Sequence, residues 1–207
     1  GKACIKALKR KKYYVSKFDP KFKNFNLINK LKTEAGIQHL SMTTNGSLLS
    51  DEKLYSLKVA GLDSLTLSLD TLKPEKINHI NGAKKQFNVD EVLKGIEKYF
   101  GYIKTNTVVI RGVNDDELFD IINLVKRYKS EIRFIEYMDV GETHGWNLNK
   151  VIPTKDLITK IKNFYDIQAI ESEKSSTSKR WAIKNTNSSL GFISSITEPF
   201  CSECNRA

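Results

Sequence analysis

The pair Cys201 and Cys204, in Phe200-Cys201-Ser202-Glu203-Cys204-Asn205-Arg206, offers two thiolates separated by two residues. Such a pair can form half of a zinc site, contribute to an iron–sulfur cluster or carry redox chemistry, and two unlinked thiols can share the same spacing. A third cysteine, Cys4, stands alone, and three cysteines are too few for a disulfide scaffold in 207 residues. His39, His79 and His144 lie far apart with no ligand spacing and read as surface or packing residues.

A second set of polar groups falls inside apolar segments. Ile132-Arg133-Phe134-Ile135-Glu136-Tyr137-Met138 has the apolar content of a buried strand, yet it carries Arg133 and Glu136. A core tolerates such charges only when they are paired or used. The two read as pocket residues or as a structural ion pair. In Ser64 to Asp70, alternation puts Leu65, Leu67 and Leu69 on one face and Ser64, Thr66, Ser68 and Asp70 on the other. In Lys104 to Ile110, Lys104 and Asn106 share a side. Polar faces on these strands predict a hydrophilic pocket. A lysine turned into it can pair with phosphate, whereas a strand-end lysine reaching water is the plainer alternative.

The elements that must position these groups alternate. The reading is a helix over Asn26–Glu34 with Leu27, Ile28 and Leu31 inward, a strand over Ile37–Met42 and the loop Thr43-Thr44-Asn45-Gly46. A helix capped by Ser50 and ended by Gly61 comes after it, then the strand Ser64–Asp70 and a short helix opened by Pro74. Next come a helix over Asp90–Phe100, the strand Lys104–Ile110, a helix over Asp115–Tyr128, the strand Ile132–Met138 and a helix over Pro153–Phe164. Regular alternation predicts an α/β fold with parallel strands and crossover helices, whose chemistry sits at strand ends and in the loops after them. No element is expected before residue 25, where Lys9 to Lys12 form a basic run. Beyond residue 165, Glu171–Lys179 reads as a loop, and Arg180–Lys184 and Gly191–Ile196 as short strands that pair antiparallel.

An apolar content of 40% supports a core. No apolar run approaches the roughly 20 residues of a membrane helix, and no secretory h-region is visible. These features predict a soluble, intracellular chain without a membrane partner. The net charge of +10 comes mainly from dispersed lysines and reads first as a solvated surface. Its functional alternative is an anionic partner. The aromatics form no RNA-binding motif, so a polyphosphate is expected rather than a nucleic acid.

Seven pieces now stand in order: Thr43-Thr44-Asn45-Gly46, Ala60-Gly61-Leu62, Leu67-Ser68-Leu69-Asp70, Lys104-Thr105-Asn106, Arg111-Gly112-Val113-Asn114-Asp115, Ile132 to Met138, and Phe200 to Arg206. The series resembles the GTP 3′,8-cyclase family (molybdenum cofactor biosynthesis protein A) of radical S-adenosylmethionine enzymes. The resemblance implies a partial (βα) TIM-like barrel over residues 25–165, with a short β-rich C-terminal extension over 166–207 that begins the cluster-binding region. Residues 1–24 are then a divergent basic segment. The implied activity is that of a lyase converting GTP to (8S)-3′,8-cyclo-7,8-dihydroguanosine 5′-triphosphate in molybdenum cofactor biosynthesis. The implied cofactors are S-adenosylmethionine and two 4Fe–4S clusters.

Carried over by position, Thr43, Lys104 and Arg206 match GTP-binding residues, with Asn106 a weaker candidate on the face of Lys104. Ser68 and Met138 match S-adenosylmethionine-binding residues, and Cys201 and Cys204 match two of three ligands of the second cluster. No catalytic residue is assigned. The family works beside cyclic pyranopterin monophosphate synthase, in the cytoplasm of bacteria or the mitochondrial matrix of eukaryotes, and a homodimer is left open.

The sequence also departs from the family. The CxxxCxxC motif of the first cluster is absent, Val15 to Phe25 stands where a GGEP stretch is expected, and the third cysteine of the second cluster belongs beyond Arg206. The expectation is an incomplete cyclase. Its alternatives are a catalytically inactive module that binds GTP or S-adenosylmethionine, and a zinc-dependent nucleic-acid-binding protein.

Overall fold

The computed structural model describes residues 5–7, 12–15, 24–80, 87–138, 146–171 and 176–198. In chain order the elements are β1 (Ile5–Ala7), β2 (Lys12–Val15), α1 (Asn24–Thr33), β3 (His39–Thr44), α2 (Asp51–Val59), β4 (Ser64–Ser68), α3 (Pro74–Ile80), α4 (Val89–Phe100) and β5 (Ile103–Val109). They continue with α5 (Leu118–Val125), β6 (Ser130–Glu136), a 3-10 turn at Leu148–Lys150, α6 (Thr154–Lys162), β7 (Ile167–Ile170), β8 (Lys179–Ile183) and β9 (Ser188–Ile193). From β2 to β6 strands and helices alternate, which is the α/β order of a partial (βα) barrel, and a β-rich extension completes the series. The chain divides into two compact units, Gly1–Ser68 with Ala83–Lys104, and Leu69–Gly82 with Thr105–Ala207.

In the first unit β1 is antiparallel to β2, and β2, β3 and β4 run parallel. The first two strands correct the expectation of no element before residue 25. They are three and four residues long, too short to carry a legible alternation. On β3, Leu40 and Met42 are buried while His39 and Thr43 are exposed. Helix α1 turns in less than its pattern predicts: Ile28 is buried, Leu31 is half-buried and Leu27 is exposed.

Two capped helices cover this unit. Ser50 Oγ accepts the Lys53 N–H at 3.3 Å to start α2, and Asn88 Oδ1 accepts those of Asp90 and Glu91 at 3.1 and 3.3 Å to start α4. Leu54 and Leu57 of α2 and Val92, Leu93 and Ile96 of α4 are buried. Gly95 lets the two helices approach, because a Cβ there would lie 2.5 Å from Leu54 Cδ1.

In the second unit β6 runs parallel to β9, while β8 is antiparallel to both β9 and β7. The antiparallel β8–β9 pair matches the sequence expectation; β7 was not foreseen. Helix α5 begins at Leu118 rather than Asp115, since Asn114, Asp115 and Glu117 spend their side chains on turns and loops. Leu118, Ile121, Ile122 and Val125 make its buried face. Phe134 of β6 and Phe192 of β9 pack with ring centroids 6.0 Å apart, each 1% exposed. Phe192→Ala is expected to cost about 3–5 kcal/mol of stability, seen as a lower urea midpoint with an unchanged m-value.

Candidate functional site

The end of β5 is closed by one buried carboxamide. Asn114 Oδ1 accepts the Ile110 N–H at 2.7 Å, while Nδ2 donates to the carbonyls of Asp70 at 2.7 Å and Val108 at 2.8 Å. Nearby, Asp115 Oδ1 accepts the Gly112 N–H at 2.7 Å, and Arg111 Nη2 donates to the Val151 carbonyl at 3.1 Å. The segment Arg111 to Asp115 is therefore a backbone clasp, a role its sequence left unassigned.

The clasp sets the polar groups beyond β4 against β5. The Leu69 N–H donates to the Asn106 carbonyl at 2.8 Å, Thr107 Oγ1 donates to the Leu69 carbonyl at 2.6 Å, and the Val108 N–H donates to Asp70 Oδ1 at 2.7 Å. Burial pushes the Asp70 carboxyl up to about 6, against the lowering effect of that single N–H. Asn106 Oδ1 and Thr105 Oγ1 are buried without a hydrogen-bond partner among the described residues. Along β5, Lys104 and Asn106 are half-buried on one face, and Ile103, Thr105, Thr107 and Val109 are buried on the other.

Thr43, an exposed residue near the end of β3, stands beside Thr66 of β4 in register, and half-buried Ser68 ends β4. The turn after Thr43 is held by Thr44 Oγ1, which accepts the Gly46 N–H, and by Asn45 Oδ1, which accepts from Ser47 N and Oγ. Gly46 takes φ +78°, and a Cβ there would lie 2.6 Å from Leu67 Cδ1, so the motif needs glycine at this point. Met138 comes after β6 and is exposed. Cys201, Cys204 and Arg206 lie outside the described residues, as does Cys4. A cleft of about 570 Å³ in the first unit, lined by Ser47, Leu54, Phe87 and Gly95 among others, contains none of the candidate residues.

Arg133 and Glu136 do not pair with each other. An odd spacing on a strand sends them to opposite faces. Arg133 Nε donates to Glu131 at 2.7 Å, while Glu136, 1% exposed, shares the face of Ile132 and Phe134. Glu136 Oε1 accepts from Thr154 N at 2.9 Å, Thr154 Oγ1 at 3.1 Å and Thr197 Oγ1 at 2.5 Å. Its Oε2 accepts the N–H groups of Ile196 and Thr197, each at 2.9 Å. Burial acts to raise the Glu136 pKa, but the donors of Thr197, Thr154 and Ile196 together hold it below the ordinary value.

Among the described residues no three His, Cys, Asp or Glu side chains gather as a metal site requires. No described helix is long and apolar enough to cross a membrane.

Because folding raises the Asp70 pKa to about 6, its ionised form costs stability. That cost is absent below about pH 4, grows as pH rises, and is complete above about pH 6. Asp70→Asn is expected to stabilise the chain by about 2 kcal/mol at pH 7.5, the partial exposure of the group having been discounted, and by nothing at about pH 3.5. Urea unfolding at the two pH values checks this.

Two family patterns match the chain. Residues 14–125, more than half of it, match the radical SAM superfamily, and residues 130–207 match Molybdenum Cofactor Synthesis C. Among curated proteins, a GTP 3′,8-cyclase of Synechococcus sp. (strain CC9902) is 36% identical over 189 residues, which is 85% of this chain and 55% of that protein. The GTP 3′,8-cyclase 3 of Mycobacterium tuberculosis (strain CDC 1551 / Oshkosh) is 38% identical over 175 residues, covering 84% and 46%. The mitochondrial GTP 3′,8-cyclase of Arabidopsis thaliana is 38% identical over 181 residues, covering 85% and 45%. The chain thus spans about half the length of the curated relatives it matches. With strand–helix alternation across the matched region, the chain belongs to the radical SAM superfamily, the class that uses S-adenosylmethionine and iron–sulfur chemistry.

Proposed function

We propose that this chain supplies the GTP-holding part of a GTP 3′,8-cyclase, which converts GTP to (8S)-3′,8-cyclo-7,8-dihydroguanosine 5′-triphosphate for molybdenum cofactor biosynthesis. The carrying observation is on β5. A half-buried lysine, Lys104, shares a face with Asn106, whose Oδ1 is a buried acceptor without a partner among the described residues. A nucleotide offers that acceptor a donor from its base or ribose, and carries phosphates that can accept from a lysine on the same face.

In this reading Thr43, Lys104 and Arg206 contact GTP, and Ser68 and Met138 border S-adenosylmethionine. Cys201 and Cys204 contribute two of three thiolates to a cluster on the GTP side. When bound, the iron–sulfur and S-adenosylmethionine pair supplies the radical that starts the reaction. The chain's own residues hold the triphosphate and orient the nucleoside. Residues 25–165 form the barrel part and 166–207 begin the cluster-binding region. The product passes to cyclic pyranopterin monophosphate synthase, and a homodimer, in the cytoplasm or the mitochondrial matrix according to source, belongs to the same reading.

A second reading, a module that binds GTP or S-adenosylmethionine without turnover, is favoured by one fact: Val15 to Phe25 stands where the family resemblance would place GGEP. Calorimetric titration with GTP tests the shared part. Lys104→Gln is expected to weaken GTP binding by about tenfold to a hundredfold, the worth of a charge-assisted contact, and Asn106→Ala to weaken it less. Absence of GTP binding, or equal affinity in the variants, overturns the first reading and the GTP-binding form of the second. Binding without cyclised product after anaerobic reconstitution with iron, sulfide, S-adenosylmethionine and dithionite selects the second.

A further inference from the structure

The sheet of the second unit carries a polar row that no role above absorbs. Arg133 of β6 pairs in register with Gly191 of β9, and Gly191 pairs with Arg180 of β8. Directly opposed residues share a face, so two arginines flank one glycine across about 10 Å of sheet. A Cβ on Gly191 would lie 2.5 Å from Ser178 Oγ, 3.0 Å from Arg133 Cγ and 3.2 Å from Glu131 Oε1. The glycine is therefore the floor on which these side chains meet. Arg133 spends its Nε on Glu131 Oε1 at 2.7 Å. Glu131 Oε2 stands 4.0 Å from Arg180 Nε, beyond hydrogen-bond reach. Arg180 Nη2 donates to Ser189 Oγ at 3.4 Å, a long bond.

Two atoms of this row are buried without a hydrogen-bond partner among the described residues: Ser178 Oγ and Arg180 Nε. Ser178 as a whole is 6% exposed. A guanidinium Nε–H can only donate, and a hydroxyl proton also needs an acceptor. Leaving such donors unmet is costly, so the partner that completes the row is an acceptor. Its charge follows from its neighbours: two guanidinium groups face one carboxylate, which leaves one net positive charge among these groups. We propose that Arg180 and Ser178, beside an Arg133 anchored by Glu131, form an oxyanion subsite that takes a phosphate group. The fork of a guanidinium matches phosphate oxygens. The side chains of Arg133 and Arg180 are 25% and 37% exposed, so a dissolved ligand reaches the row. Free phosphate and a phosphate of a nucleotide share this chemistry. Only the second source rests on the GTP reading; the subsite itself does not.

Arg180→Gln is the sharp variant, because it removes the charge and the fork together. Ser178→Ala is the milder companion and remains informative if Arg180→Gln fails to fold. It deletes a donor that the fold leaves unpaired, so the urea midpoint of the phosphate-free chain is expected to stay unchanged. Lys179→Gln is the control for general charge. It lies one residue from both, and its register partner Phe192 places it on the opposite face of β8.

Nuclear magnetic resonance titration of the full chain with inorganic phosphate, read at the Ser178, Arg180 and Gly191 amide signals, tests the subsite. Arg180→Gln is expected to weaken phosphate binding by about tenfold to a hundredfold, and Ser178→Ala by about threefold to tenfold. Lys179→Gln is expected to leave it unchanged. Equal phosphate affinity in the unaltered chain, Arg180→Gln and Ser178→Ala overturns the proposal. So does an equal loss in Lys179→Gln, which marks general charge, and so does a lower urea midpoint in phosphate-free Ser178→Ala, which shows that the hydroxyl serves the fold. The same titration with GTP and with guanosine separates the sources. Shifts of these signals with GTP but not guanosine, reduced in Arg180→Gln, assign the subsite to a nucleotide's phosphate. Arg180-dependent binding of inorganic phosphate without any response to GTP upholds the subsite for free phosphate and defeats the cyclase reading alone.

Discussion

The strand ends of the second unit depend on the three hydrogen bonds of Asn114. Strands that end at a site must leave backbone groups unpaired by the sheet, and buried groups of this kind are costly unless a side chain takes them. Ile110 N–H, Val108 C=O and Asp70 C=O are such groups, and one carboxamide serves all three. Aspartate could accept from Ile110 but not donate to the carbonyls, and leucine could do neither. With those backbone positions held, Asp70 is kept against the Val108 N–H and the face carrying Asn106 is set. A motif recognised by resemblance thus has a local reason that owes nothing to a ligand.

The buried acids of the same unit show how donor number decides the state of a carboxyl. Glu136, with five donations, is held below the ordinary carboxylate range although burial opposes this. Asp70 accepts a single N–H and is raised to about 6. Glu117, 1% exposed, is also well supplied with donors: it accepts from Thr71 Oγ1 and the Leu72 N–H, with Lys76 Nζ at 3.1 Å. A scaffold built for stability gives its acids enough donors. An acid left short of them at a strand end is the pattern expected where a site, not the scaffold, has set the residue. That contrast separates Asp70 from Glu136.

The parts of this fold legible in sequence are those written in local pattern. Helix α4 lies within one residue of where its apolar spacing places it, and the alternation of β5 puts Lys104 and Asn106 on one face. Strand β7 was illegible because three of its four residues are exposed, so it has no alternation to read. The opposite facing of Arg133 and Glu136 is legible from their odd spacing alone, which argues against an ion pair between them. The partners of Glu136 were not legible, because Thr154 and Thr197 reach it only through tertiary folding. Of the candidate site, sequence pattern could mark polar faces, whereas the roles of Thr43, Ser68 and Lys104 came from resemblance.

Net charge is a poor guide to what this chain binds. Some of its lysines lie in pairs at the surface: Lys98 with Asp51, Lys94 with Asp90, Lys73 with Asp116, Lys184 with Asp166, and Lys179 with Glu198. Such pairs are worth little, and their fields are screened within about 8–10 Å at physiological salt. A half-buried lysine acts through a lower effective dielectric, so in the proposed GTP-holding reading Lys104 would weigh more in selecting an anion than its share of the total charge suggests. Charge alone still cannot distinguish a nucleotide from phosphate. In that reading the neutral neighbour can: a bare phosphate would leave the Asn106 amide oxygen without a strong donor, while a nucleoside triphosphate would bring the anion and the donor on one molecule.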